Sequence, residues 1–136
     1  MKKKLRSGSG ELLGFTMSAL ALLSITTLII GCCLLHSALN YMDEVGRVIG
    51  RDVVVCESKS EAEKLAQKEA ERALSNVKYL SNISTSVEYA PGSENKWKKG
   101  NLVYITVSAT VHSTTPLTSG PHVVYTLMMI ERGKSD

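Results

Sequence analysis

No Asp, Glu, Lys or Arg occurs between Leu12 and Met42, a run of 31 residues. Within a chain of 136 residues, so long an uncharged stretch rules out a simple cytosolic enzyme and leaves about 94 residues, Asp43 to Asp136, for a folded domain with a modest core. Its apolar centre, Leu12 to Leu35, would form a helix of about 36 Å at 1.5 Å per residue, enough to cross a hydrocarbon layer of about 30 Å with some tilt. Backbone groups in lipid must pair within their own segment, so a helix is expected here despite its Thr, Ile and Gly.

Charge gives the orientation. Lys2, Lys3, Lys4 and Arg6 precede the run and Glu11 stands at its edge, while the remainder carries 12 Lys/Arg against 12 Asp/Glu. The net charge of +3 is therefore an N-terminal flank, which predicts a cytoplasmic N-terminus, a membrane-lipid partner and an external C-terminal domain. It predicts no nucleic-acid partner. Two other readings compete with a retained single-pass anchor. A cleaved secretory signal is shorter and ends in a small-x-small site. A lipoprotein signal at Ile29-Ile30-Gly31-Cys32 would turn polar after the Cys, where this chain continues Cys33-Leu34-Leu35.

Within the run, Gly14 and Ser18 are small residues four apart and can admit a partner helix, or are simply the small residues common in membrane helices. Ser24, Thr26 and Thr27 can bond their own helix backbone. Glu11 is either a carboxylate at a helix start, favoured by the dipole, or the counterpart of a specific partner, such as the free N-terminus or a basic group on a neighbouring subunit. Cys32 and Cys33 are adjacent and read as small apolar fillers. Cys56, the odd external Cys, reads either as a link between chains or as a buried thiol.

Beyond the run, Leu39, Met42, Val45, Ile49 and Val53 recur every three or four residues and extend a stem helix to about Asp52, with Gly46 and Gly50 allowing close packing on the folded domain. Val53 to Cys56 reads as a buried connection or a short fourth strand. Ser58-x-x-Glu61 and Ser60-x-x-Glu63 are capping-box patterns opening a helix to about Val77, with an Ala-rich stripe on one face and Glu63, Lys64, Gln67, Lys68, Glu71 and Arg72 on a solvated face. Alternation predicts strands at 83–89 and 103–111. The segment His122 to Ile130, apolar on both faces, is the expected central strand. The fold class is thus α+β: a transmembrane helix with an extended stem, then an amphipathic helix packed on a three- to four-stranded antiparallel sheet. The expected divisions are a basic leader 1–11, a transmembrane helix and membrane-edge stem 12–42, an external stem and connection 43–57, and an external domain 58–136.

Little in the external part suggests chemistry. No metal-ligand spacing, acidic pair, nucleophile elbow or Gly-rich phosphate loop appears, so no catalytic residue, metal or cofactor is expected. His112 and His122 flank one connection and would face each other across a hairpin. An enzyme built on them is the rival to a non-enzymatic reading. Lys96, Trp97, Lys98 and Lys99 form the sharpest local feature, either a surface-binding loop for lipid headgroups, cell wall or a protein partner, or a solvated loop with Trp97 folded over the core.

The stretch KKKLRSGSGELLGF, Lys2 to Phe15, places a basic leader, a Gly/Ser region and Glu11 ahead of the apolar helix. LNYMDEVGRVIGRDVV, Leu39 to Val54, continues it as a stem rich in small residues with Arg47 and Arg51. Over roughly residues 2–55 this layout resembles the TadE-like family, pilin-like components of bacterial tight-adherence pilus and secretion systems. The resemblance implies a minor pilin-like or assembly subunit at the cell membrane, with other pilus or secretion-system subunits as partners and no catalytic residue. Glu11, Gly14, Ser18, Arg47 and Arg51 are then its candidate subunit contacts. It also implies a prepilin peptidase as processing partner, with Arg6 standing where the family's processing pattern has Gly.

Overall fold

The computed structural model describes residues 2–133, with side chains from Gly8 onward; Met1, the side chains of the basic flank and the last three residues of the expected external domain lie outside the described residues. One helix, α1 (Lys2–Val53, 52 residues), leads into α2 (Lys59–Leu74) and a three-stranded antiparallel meander, β1 (Leu80–Tyr89), β2 (Leu102–Val111) and β3 (Gly120–Met129), in the order β1-β2-β3. The layout is α+β as expected. The stem reaches Val53, and the connection after it is a turn, not a fourth strand.

Helix α1 has two halves with different surroundings. From Leu12 to Ile30 its large apolar side chains are exposed, Phe15 and Leu22 most of all within the helix, and nothing in the described residues covers them. This bare half is long and apolar enough to cross a membrane: 19 residues at 1.5 Å each reach about 29 Å. The hydroxyls of Thr16, Ser24, Thr26 and Thr27 donate to carbonyls four residues back, at 2.8–2.9 Å, so their polarity is absorbed by the helix itself. Glu11 lies in the third turn of α1, not at its start, because the helix begins at Lys2.

From Gly31 onward the same helix belongs to the core. Gly31, Ala38, Met42, Val45, Gly46, Ile49, Gly50 and Val53 are buried along one seam. A side chain begun at Gly46 would stand 2.9 Å from the Thr126 hydroxyl, and one at Gly50 2.8 Å from the Met128 methyl. These two glycines let the helix backbone approach β3 as the sequence suggests. Contacts of Gly31 with Thr118, Gly46 with Thr126 and Gly50 with Met128 advance together, and Val54 then accepts from the Glu131 and Arg132 amides. Strand β3 therefore runs along α1 in the same direction, away from the bare half.

Helix α2 starts at Ser58, whose hydroxyl accepts from the Glu61 amide while the Glu61 carboxylate accepts from the Glu57 amide. Of the two capping patterns, the first is used. Ala62, Ala66, Ala70 and Leu74 pack inward, and the small side chains bring α2 close to β1. Thus α1 covers β3 and β2, and α2 covers β1, on one face of the sheet. Val103, Ile105 and Val107 of β2 are wholly buried between them.

The expectation of a central third strand is corrected: β2 is central and β3 is an edge. Two successive hairpins place the middle strand of the chain in the middle of the sheet. The apolar character of β3 on both faces then has another cause. Val124, Thr126 and Met128 face α1, while Val123, Tyr125, Leu127 and Met129 face outward and are exposed.

Candidate subunit-contact surface

The sequence candidates do not form one site. Glu11, Gly14 and Ser18 lie exposed on the bare half of α1, and a side chain at Gly14 would meet nothing within 4 Å. Arg47 lies 36 residues further along, about 54 Å from Glu11 at the helical rise. It pairs with Asp43 at 2.8 Å one turn away on the same helix, and such an exposed pair contributes well under about 1 kcal/mol. Arg51 is exposed.

At the pole far from the bare half, Trp97 is half-buried against the core and its indole N–H donates to the Cys56 carbonyl at 2.8 Å. It plugs the end of α1, while Lys96, Lys98 and Lys99 stay exposed. With Glu57, Lys59, Tyr89 and Glu94 this loop borders a cleft of about 420 Å³ in which the Lys59 ammonium sits 5.2 Å from the Tyr89 ring centre. Cys56 is buried. Desolvation pushes its thiol pKa above the ordinary 9.0, with the Glu61 and Asp52 carboxylates adding to the effect.

The two external histidines do not face each other. His122 is paired across the hairpin with Ala109, and His112 lies past the end of β2, where its Nε2 is 2.7 Å from the Ser81 hydroxyl. That Ser–His contact is exposed, and no carboxylate is bonded to the ring's second nitrogen among the described residues. Among the described residues no three His, Cys, Asp or Glu side chains gather to hold a metal ion.

The surface that the sequence reading passed over is the outer face of the β2–β3 hairpin. Cross-strand pairs Leu102–Met129, Tyr104–Leu127 and Thr106–Tyr125 form a patch in which Tyr125 is 66% and Met129 56% exposed. The signal lay in the charge pattern. Gly100 to Ile130 is a second run of 31 residues with no Asp, Glu, Lys or Arg. Edge strands ordinarily carry charges, bulges or a cover that blocks pairing with other chains. The opposite edge has such devices. Strand β1 shifts register between Ser81 and Ser84, with Asn82 at φ 51°, and the Gln67 amide of α2 closes it. Gln67 Oε1 accepts from the Thr85 amide at 2.8 Å and its Nε2 donates to the Ile83 carbonyl at 3.2 Å. Gln67 is thus a clamp on the sheet edge and not part of a solvated face. Strand β3 has Pro121 near its start and α1 along its inner face, but among the described residues its outer face carries neither a charge nor a cover.

Comparison with protein-family models, with characterised proteins and with solved structures finds no match.

Proposed function

We propose that this chain is a non-enzymatic, membrane-anchored structural or assembly subunit of a tight-adherence type pilus or secretion system. It crosses the membrane once through the bare half of α1, with the N-terminus cytoplasmic and residues from about Gly31 onward outside. It acts by helix–helix contacts along Gly14 and Ser18 and by contacts of its external domain. The neighbour on the outer face of the β2–β3 hairpin is a second copy of the chain. The observation that carries this reading is the outer face of the β2–β3 hairpin, uncharged, apolar and bare on the side away from α1, whereas the β1 side of the sheet is closed by Gln67 and a bulge.

Anchoring supports the choice of neighbour. It confines all copies to one plane with parallel helices, and β3 runs along α1, so its outer face stands upright where a laterally diffusing copy meets it. Two-fold antiparallel pairing of β3 edges would turn one anchor upside down, which leaves side-by-side contacts between parallel copies as the geometry. Glu11 contributes at the other end. A carboxylate beside an apolar run costs free energy unless a donor or water reaches it, so in packed helices it sets the axial register against a positive group of the neighbour. The test is Leu127→Glu, which places a charge on the outer face without touching the core. Membrane insertion and folding should persist while pilus or secretion output falls at equal protein level. Unchanged output would refute the reading.

The second reading is a tethered binding module that uses the cleft between Lys59, Tyr89, Trp97 and Lys98, favoured by the stacked cation and aromatic there. Neutralising Lys96, Lys98 and Lys99 together separates the two: lost cell-wall binding with intact assembly would select the module.

A further inference from the structure

The loop between β2 and β3 is unlike the other connections. Ser113 donates from its hydroxyl to the Gly31 carbonyl at 3.3 Å, and Thr114 to the Thr27 carbonyl at 3.2 Å. The Thr118 hydroxyl occupies the space of a Gly31 side chain, 2.6 Å from where its first carbon would be. The loop is therefore fixed to α1 at the level where the bare apolar run ends. Since the hairpin strands run along α1, its tip points down toward the bare half.

The composition of the tip fits that location. Pro116 and Leu117 form it, within a short 3-10 turn Pro116–Thr118, and Leu117 is 85% exposed, more than any other large apolar side chain described. The loop's polar groups satisfy one another. Thr118 donates to the Ser113 hydroxyl at 2.7 Å, Ser119 donates to the Thr115 carbonyl at 2.8 Å, and the Ser119 hydroxyl accepts from the Ser113 amide at 2.9 Å. Such closure is common in Ser- and Thr-rich turns and leaves this loop with its polar groups already paired. A loop entering a poorly hydrated layer needs that pairing, because each unpaired polar group there costs free energy.

We propose that residues 113–119 are a lipid-contacting foot, with Leu117 seated at the boundary between headgroups and acyl chains. Anchor and foot together are two points of contact with the bilayer, which fixes the height and rotation of the external domain about α1 and so the direction in which the β3 face looks. The proposal rests on the single-pass anchor proposed above, and the test separates the two.

The full chain is reconstituted at low density in phosphatidylcholine vesicles whose acyl chains carry bromine either near the headgroup or deep in the layer. Trp97, at the far pole, is the only native Trp and gives the background emission. Leu117→Trp adds a probe at the tip and, in a separate protein, Phe15→Trp adds one to the bare helix. The added Leu117→Trp emission should be blue-shifted and lost in shallow-brominated vesicles, leaving only the Trp97 signal. Emission of a water-exposed indole, unquenched by either lipid while Phe15→Trp is quenched, overturns the foot alone. Absence of quenching at Phe15→Trp overturns the anchor and the foot together. A blue shift at Leu117→Trp that grows with protein density and is insensitive to bromine overturns the foot in favour of a protein contact.

Discussion

The Thr126 hydroxyl is buried without a hydrogen-bond partner directly opposite Gly46, at 2.9 Å from where a side chain on that glycine would begin. The helix approaches the sheet so closely that a side chain at Gly46 would collide with this hydroxyl. An unpaired buried hydroxyl costs about 1–3 kcal/mol, whereas an apolar group of the same shape does not. Thr126→Val should therefore stabilise the fold by about 1 kcal/mol. Gly46→Ala should destabilise it: helix propensity gains about 1 kcal/mol, but overpacking against Thr126 costs about 1–3. Thermal unfolding of both variants in detergent checks the opposite signs.

The 3.6-residue stripe of α2, the Ser58 cap, the alternation in β1 and β2, and the stem seam from Met42 to Val53 were all legible, because each is a local pattern tied to one burial face. Strand order was not. An apolar strand reads the same whether it is covered on both faces or left bare on one, so β3 was misplaced at the centre. The role of Gln67 was also hidden, since a side chain on a charged helix face gives no sign that a strand edge 16 residues later in sequence lies beside it. The outer surface of the hairpin was readable in principle from the uncharged run Gly100–Ile130.

Gln67→Ala should open the β1 edge. Two backbone groups lose their side-chain partner, at a cost of about 1–3 kcal/mol. Hydrogen exchange at the Thr85 amide should speed up in Gln67→Ala relative to the native chain.

The raised Cys56 pKa fixes a pH dependence. A group held protonated by the fold contributes stability that is fully present below its unfolded value, near 9.0, and is lost as pH rises through the folded value. Stability should be flat through neutral pH and fall in base. Cys56→Ala should remove that fall, and alkylation of Cys56 in the native chain should be slower than that of a free thiol at the same pH.

Trp97→Phe removes the donor to the Cys56 carbonyl and part of the plug at the end of α1. It should lower stability by about 1–3 kcal/mol through the orphaned carbonyl and lost packing. Joint substitution of Lys96, Lys98 and Lys99 by Gln should leave stability within about 0.5 kcal/mol. Denaturation midpoints of the two proteins compare a structural Trp with solvated lysines.

Glu11→Gln should leave insertion and folding of the external domain unchanged but weaken association between copies, read as crosslinking through the membrane helix at equal expression. Equal crosslinking would make Glu11 an ordinary residue of a free helix.

The central claim is that the outer face of β3 meets a second copy of the chain. A photo-crosslinking amino acid at Tyr125, in native membranes, tests it most directly, with the same probe at Lys68 on the exposed face of α2 as the comparison. The account predicts a crosslinked homodimer from position 125, little from position 68, and loss of the position-125 product when Leu127→Glu is added. Monomer alone from position 125, or equal dimer from both positions, would contradict it.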